Sequence, residues 1–333
     1  MTEIDRGTEK FPACGYGLLG LCCSACLLGP CRLSPFDGDS GKGRCGDNRH
    51  LLVAKNLLRL AVAESAQALR RLRDAVLKAG AAGPVSSLIE RSKNFLSLFP
   101  AEATPLYSSL YPEEIFPSIH RIFQGNDSSL NSLAGLLLES VDTGQAGSLE
   151  AEEILNRSLK VSLFSLMSEE LSRGLNRKGN REGQTLEDPE TSKALDRLPP
   201  TPCPVLIRLS EPDASSPMAE EVVKRLDGSA PVISLAEGHT LADIGRGLYR
   251  RWGLPATDLR AVLLVSSNRV TPILGALTLG FHVASFPPLP IHGSDRAEQF
   301  FFKDLEKRFG NAYLPSWEQD IDSIVVARLR GEG

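Results

Sequence analysis

Six of the seven cysteines in this chain lie within its first 45 residues, and two of them are adjacent. Neighbouring side chains in an extended or irregular segment point in opposite directions. Cys22 and Cys23 are therefore poorly placed to bind one metal centre together, and the pair indicates two separate centres.

The spacing from the second of these residues onward is C-x2-C-x4-C-x13-C, which provides four thiolates in a compact loop. These are Cys23, Cys26, Cys31 and Cys45. Four thiolates are the ligand number that a cubane iron–sulfur cluster needs, and the glycines of this loop allow backbone N–H groups to approach the cluster sulfurs. Cys14 and Cys22 remain as half of a ligand set. A second copy of the chain, related by a two-fold axis, would complete a shared [4Fe-4S] or [2Fe-2S] cluster.

Two other uses of these cysteines are alternatives. Structural zinc also takes four thiolates, usually from two C-x2-C pairs, and here only Cys23 and Cys26 have that form. A disulfide framework is typical of small secreted domains. This chain has 333 residues and an odd number of cysteines, and we expect no signal segment because its first residues contain no apolar run.

The cysteine motif resembles the N-terminal cluster segment of anaerobic nickel–iron carbon monoxide dehydrogenases. The similar residues are 14–32 (CGYGLLGLCCSACLLGPCR), 44–47 (RCGD) and 52–57 (LVAKNL). Weaker similarity extends to 125–144 and to 287–294. In that family the first two cysteines bind a cluster that bridges the subunits of a homodimer, and the next four bind a cubane within each subunit. The resemblance thus implies that Cys14 and Cys22 are the bridging ligands and that the other four cysteines hold the cubane.

The ligands of the family's catalytic nickel–iron centre are expected to be missing. That centre uses further cysteines and a histidine, whereas this chain has only Cys203 beyond the loop. Its five histidines, none in a Cys-x-His or His-x3-His arrangement, are His50, His120, His239, His282 and His292. One thiolate cannot hold a multinuclear core. We therefore expect no nickel and no oxidation of carbon monoxide by this chain alone, which is also much shorter than those enzymes.

Composition is that of a globular protein, with 42% hydrophobic and 23% charged residues. The net charge of −4 gives no electrostatic footprint for a nucleic acid, and no apolar run is long enough for a membrane span. An exposed cluster at a subunit interface would favour an anaerobic or reducing cytoplasm.

Cysteine spacing, local composition and hydrophobic periodicity together predict four regions: an iron–sulfur segment at 1–46, a helical domain at 47–175, a linker at 176–203 and a Rossmann-like α/β domain at 204–333. The predicted helices of the second region are Arg49–Lys78, Val85–Leu98, Pro112–Phe123, Leu130–Val141 and Leu149–Leu171. The fold class is therefore α plus α/β.

Short apolar runs that alternate with helical patterns predict a doubly wound parallel sheet in the last region. The predicted strands are Val205–Ile207, Val232–Leu235, Ala261–Val265 and His282–Ala284, and the predicted helices are Ala219–Leu226, Thr240–Trp252, Thr271–Leu279 and Asp295–Phe309. Ile321–Arg328 is either a strand or a helix. Ligands of such sheets bind at the carboxyl ends of the strands, here near 266–268 and 285–288. No nucleotide-binding glycine motif is present.

Three residues near the predicted ligands also draw attention. His50 could donate a hydrogen bond to a cluster sulfur or relay a proton, although a capping or solvent-facing position at the helix start is the simpler interpretation. Arg32 and Arg44 flank ligands and could stabilise the negative charge of a reduced cluster. Cys203, between two prolines, is interpreted as a small apolar residue.

These observations predict a homodimeric electron-transfer protein that resembles a carbon monoxide dehydrogenase without its catalytic centre and that docks a redox partner or catalytic subunit. Two alternatives remain. The α/β domain could contribute a substrate site to an oxidoreductase complex, or the clusters could serve only a structural or assembly role.

Overall fold

A computed structural model describes residues 14–36, 41–82, 87–97, 106–123, 132–145, 149–176, 195–210, 224, 230–235, 241–266, 269–314 and 321–330. The predicted features at Gly125–Asp127, His239, Asn268 and most of Ala219–Leu226 lie outside these residues. No helix within the described ranges is both long and apolar enough to cross a membrane.

The first part of the chain that the structure describes is a small unit, residues 14–36 and 41–48, which we call the cysteine segment. It contains the helix α1 (Gly15–Leu18) and two short antiparallel strands, β1 (Cys22–Cys23) and β2 (Cys31–Arg32).

A helical region follows, as the periodicity predicts. Its helices are α2 (Arg49–Ala82), α3 (Ser87–Leu96), α4 (Leu106–Leu110), α5 (Pro117–Ile122), α6 (Leu133–Gln145) and α7 (Ala151–Asn176). The side-chain oxygen of Asn48 accepts a hydrogen bond from the backbone N–H of Leu51 at 3.0 Å and caps α2. Helices α2 and α7 pack along each other. α7 is buried around most of its circumference, which makes it the central helix of the region.

The C-terminal region contains a five-stranded parallel sheet. Its elements are β3 (Leu206–Ser210), β4 (Val232–Leu235), α8 (Leu241–Trp252), β5 (Val262–Ser266), α9 (Val270–Thr278), β6 (His282–Phe286), α10 (Asp295–Gln299), α11 (Leu305–Phe309), β7 (Tyr313–Leu314) and α12 (Ile321–Arg330). A π-helical turn, Phe300–Asp304, joins α10 to α11. The strand order is β4-β3-β5-β6-β7. This order is doubly wound, with the reversal of direction between β3 and β5.

The structure confirms the α plus α/β fold class and the four predicted strands. The C-terminal segment left open between strand and helix is the helix α12. Helix α4 and strand β7 were not predicted, since five and two residues are too few to show a period.

The hydrophobic core is continuous across the predicted domain boundaries. Buried residues from the cysteine segment, the helical region and the sheet form one cluster, and α9 packs against both α7 and α2. The described end of the predicted linker also packs on α8, because the Trp252 indole donates a hydrogen bond to the carbonyl of Pro199 at 3.1 Å. The predicted division into domains remains a prediction, but the helical and α/β regions share a core.

Candidate metal centre

The antiparallel strand pair β1–β2 contains three of the cysteines, Cys22, Cys23 and Cys31. Cys23 lies opposite Cys31, and Cys22 lies opposite Arg32. Residues paired across an antiparallel ladder project to the same face of the sheet, whereas consecutive residues project to opposite faces. Cys23 is buried and Cys22 is half-buried, as expected for two neighbours on opposite faces. The two adjacent thiols therefore point into different environments.

A second contact adds Cys45 to the face that carries Cys23 and Cys31. A Cβ atom placed on Gly43 would lie 3.7 Å from Cys45 Sγ and 3.9 Å from Cys31 Sγ, so both sulfurs border this glycine. The backbone N–H of Arg44 points at Cys31 Sγ, with an N to S distance of 3.4 Å. The peptide of residues 43–44 thus cradles two of the predicted ligands and offers one of them a hydrogen bond.

Cys26 lies in the exposed turn between β1 and β2. The turn closes through the backbone N–H of Gly29, which donates to the carbonyl of Cys26 at 3.1 Å. A Cβ at Gly29 would come within 3.2 Å of the Cys23 carbonyl oxygen and 3.3 Å of the Cys26 carbonyl oxygen, so any side chain here would crowd both carbonyls.

Cys14 is exposed and lies at the N-cap position of α1. The backbone N–H groups of Gly17 and Tyr16 beside the sulfur lower the pKa of its thiol, and the nearby charge of Arg32 lowers the pKa further. Arg32 is also the strand partner of Cys22. It therefore lies near both cysteines of the predicted shared site.

Two residues of α2 that contact the cysteine segment were missed in the sequence. The Nδ2 atom of Asn56 donates to the carbonyls of Gly20 at 2.9 Å and Cys22 at 2.8 Å. One helical turn later, Nη1 of Arg59 lies 3.4 Å from Cys23 Sγ. Positions i and i+3 share a helix face, so this spacing is a signal that could have been read once α2 was known to face the cysteines.

A buried ion pair lies next to Cys45. The Lys55 ammonium contacts both carboxylate oxygens of Asp47, at 2.9 and 2.8 Å, and the Cys45 thiol lies 3.3 Å from Oδ2 of that carboxylate. Both charged side chains are buried. The pair ties the last cysteine of the loop to α2.

The cysteine segment docks at the carboxyl end of the sheet. The N–H of Gly293 donates to the Leu19 carbonyl at 2.8 Å, and a Cβ at Gly20 would lie 2.2 Å from the Pro290 carbonyl oxygen. A cleft of about 160 Å³ lies at this junction. Its lining includes residues 17–18 and Leu60 on one side and residues 269–270, Ile273 and 287–290 on the other.

The remaining residues noted in the sequence are His50, Cys203 and Ser266. Of the two positions expected for His50 at the helix start, capping or solvent-facing, the solvent-facing one is wrong, because the side chain is buried and its Nδ1 lies 2.9 Å from the hydroxyl of Ser294. Cys203 is half-buried, packs against the core as an apolar residue does, and has a pKa raised by burial. Ser266 is the last residue of β5.

The chemistry of the donor set fits a thiolate-bound centre. Cys23 and Cys31 each have an N–H group directed at the sulfur, and Cys31 shares a glycine cradle with Cys45. Directed N–H groups and nearby cations are the surroundings that stabilise metal-bound thiolates. Among the described residues, no three His, Cys, Asp or Glu side chains are gathered around a point that one metal ion could occupy.

Comparison with known proteins finds sequence similarity in most of the cysteine segment and the start of the helical region. The sequence model described as Prismane/CO dehydrogenase family matches residues 21–99. Carbon monoxide dehydrogenase 1 of Methanosarcina acetivorans is 45% identical over 76 residues, which are 23% of this chain and 12% of that protein. The carbon monoxide dehydrogenase of Rhodospirillum rubrum is 47% identical over 65 residues, which are 20% of this chain and 10% of the relative. The similarity thus spans about an eighth or less of these relatives' length.

Solved structures give a broader and weaker likeness. Carbon monoxide dehydrogenase IV from Carboxydothermus hydrogenoformans covers 99% of this chain with 15% identity and a TM-score of 0.43, and 56% of that structure is matched. The nickel-free carbon monoxide dehydrogenase from Thermococcus sp. AM4 covers 96% of this chain and is matched over 55% of its own length, with 16% identity and a TM-score of 0.41. Over residues 21–99 this chain matches the Prismane/CO dehydrogenase family model, and in that region it is similar in sequence to carbon monoxide dehydrogenases.

Proposed function

We propose that this chain is an iron–sulfur electron-transfer protein, with a cubane cluster held by Cys23, Cys26, Cys31 and Cys45. The observation that carries the proposal is the opposite placement of the adjacent thiols on β1. The buried Cys23 faces the side of Cys31, while Cys22 projects to the other face. Such a cluster, when bound, accepts and releases single electrons. The chain's contribution is to supply the thiolates and the N–H groups that point at two of them.

The second part of the proposal is a cluster shared between two copies through Cys14 and Cys22. Support comes from the surface of the cysteine segment, which exposes large apolar side chains. Leu27 and Phe36 are 104% and 93% exposed, and Leu28 and Tyr16 are also exposed. Exposed apolar side chains of this size are typical of surfaces that a partner covers. A two-fold related copy would cover them and bring four thiolates together.

Anaerobic reconstitution with iron and sulfide tests both parts. The wild-type protein should be a dimer by light scattering, with iron and acid-labile sulfide in equal amounts. Cys22→Ser should lose about one third of the iron if the shared core has four irons, or about one fifth if it has two, and should keep the cubane. Cys203→Ser is the matched control and should leave the iron content unchanged.

A monomeric, iron-free product from the anaerobic preparation would contradict the proposal. A protein that binds zinc in place of iron, with no visible absorption, would do so as well. Oxidation of carbon monoxide with stoichiometric nickel would contradict the expectation that this chain lacks the ligands for that chemistry.

A second candidate function rests on the cleft between the cysteine segment and the carboxyl end of the sheet. Doubly wound sheets bind ligands at this end, and the cleft is lined by residues 287–290 after β6 and by Arg269 before α9. A substrate site here would lie beside α1, whose first turn follows Cys14. Substrate-dependent reduction of the reconstituted protein would favour this function, and reduction by an electron-carrier protein alone would favour the first.

A further inference from the structure

Asn56 and Arg59 connect the two adjacent cysteines to helix α2. We propose that Arg59 raises the reduction potential of the centre bound at Cys23 and that Asn56 positions the Arg59 guanidinium, an inference that rests on the proposed function. The role of neither residue follows from the cysteine motif, because neither is a ligand.

The first step of the argument is the position of the guanidinium. Nη1 of Arg59 lies 3.4 Å from Cys23 Sγ, and both side chains are at least partly buried. An arginine keeps its charge at every accessible pH, so the cysteine sulfur always has a cation and an N–H donor beside it. Reduction adds one negative charge to an iron–sulfur centre. A hydrogen bond from a cation stabilises that added charge more than it stabilises the oxidised state, and the reduction potential rises.

The second step is the way in which the guanidinium is held. Asn56 donates both of its amide hydrogen bonds to backbone carbonyls, those of Gly20 and Cys22. This fixes the orientation of the amide, because only its nitrogen can donate. The amide oxygen then accepts a hydrogen bond from Nη1 of Arg59 at 3.2 Å. One asparagine therefore binds the backbone of one proposed ligand and orients the cation that contacts the other.

The third step is that the part of α2 that carries these two side chains is held in place by buried neighbours. Asn56 and Arg59 are one turn apart on α2, and their neighbours Leu57 and Leu58 are fully buried in the core. The backbone of α2 is thus held by packing that does not depend on the two polar side chains. Substitution of Arg59 or Asn56 is expected to change the sulfur's surroundings without unfolding the helix.

The experiment compares anaerobically reconstituted full-length proteins: wild type, Arg59→Gln, Arg59→Lys, Asn56→Ala and Arg71→Gln. Iron and sulfide content and the visible spectrum are measured first, and the reduction midpoint is then determined by a redox titration followed by electron paramagnetic resonance. Arg71 is the matched control, because it is exposed on the same helix about 18 Å further along the axis.

Arg59→Gln should keep its iron and reduce about tenfold less favourably, a midpoint lower by about 59 mV for one electron. Arg59→Lys keeps the charge and should lie between that value and wild type. Asn56→Ala should shift the midpoint in the same direction as Arg59→Gln by a smaller amount, and Arg71→Gln should match wild type.

The outcomes separate this inference from the proposed function. A wild-type protein that binds no iron refutes the proposed function, and the inference with it. Iron-loaded Arg59→Gln with the wild-type midpoint overturns the inference alone. If Arg59→Gln fails to bind iron, Asn56→Ala and Arg59→Lys decide: lowered midpoints support the inference, and wild-type midpoints in both overturn it.

Discussion

Glu64 of α2 caps the start of α9 and thereby joins the helical region to the sheet. Its carboxylate accepts hydrogen bonds from the backbone N–H of Val270 at 2.9 Å, from the backbone N–H of Thr271 at 2.8 Å and from the Thr271 hydroxyl at 2.7 Å. α9 begins just beyond the carboxyl end of β5, where many doubly wound sheets hold an anionic group of a ligand against the helix N-terminus. Here the anion is a side chain of the protein itself.

Glu64→Ala should therefore destabilise the fold. Helix caps contribute about 0.5–2 kcal/mol, and single hydrogen bonds to a charged group contribute about 1.5–3 kcal/mol. Glu64 is only partly buried, and water would replace part of the loss. We therefore expect a net loss of about 2–3 kcal/mol. For a chain of 333 residues, the unfolding entropy is about 0.7 kcal/mol/K, so the midpoint should fall by about 3–4 °C.

Thermal and urea unfolding followed by circular dichroism would measure this loss. Gln67→Ala, an exposed position on the same helix, is the control and should change the midpoint little. Glu64→Gln should retain the shape of the side chain but lose most of the stabilisation, since the charge is removed and one acceptor becomes a donor. A Glu64→Ala midpoint within 1 °C of the control would refute the assignment of Glu64 as a cap.

Three further predictions concern the pH dependence and the docking of the cysteine segment. Burial, with the charge of Arg328, lowers the pKa of His282 to about 3, so stability should fall as pH drops from the unfolded value of 6.5 toward 3, by up to about 1.4 kcal/mol per pH unit. His282→Asn should flatten that part of a urea-midpoint profile. Gly20→Ala should cost more than about 2 kcal/mol by chemical unfolding, because φ is +75° and the new Cβ would meet the Pro290 carbonyl. Lys55→Met should cost about 3–5 kcal/mol in the same assay, since it leaves the Asp47 carboxylate buried without its cation.

Each of these three predictions would be contradicted by a specific result. If the urea-midpoint profile of His282→Asn matched that of the wild type, protonation of His282 on unfolding would not be the cause of the stability loss between pH 6.5 and about 3. A Gly20→Ala midpoint equal to that of Gly80→Ala, where a Cβ meets nothing within 4 Å, would show that the close approach is not tight. Equal losses for Lys55→Met and for the exposed Lys78→Met would remove the argument for a buried ion pair.

Local patterns sufficed for the larger elements of this fold. The apolar period of α2, the long helical stretch of α7 and the apolar runs of β3, β4, β5 and β6 each lie within one continuous stretch of sequence, so their positions follow from the sequence. The opposite orientation of Cys22 and Cys23 also follows from adjacency alone. The short α4 and β7, and the junction of the helical and α/β regions, have no such period.

The sequence by itself determined which residues are the candidate ligands, because cysteine spacing is a local property and the family motif is local too. Only the tertiary structure decided what surrounds them. Arg59 reaches Cys23 across 36 positions, and the loop after β6 meets Gly20 across about 270. His50 turned inward to a hydroxyl 244 positions away. Such partners are chosen by the packing of α2 against the cysteine segment and against α9 and α10, which brings together segments whose separation along the chain leaves no pattern in the sequence.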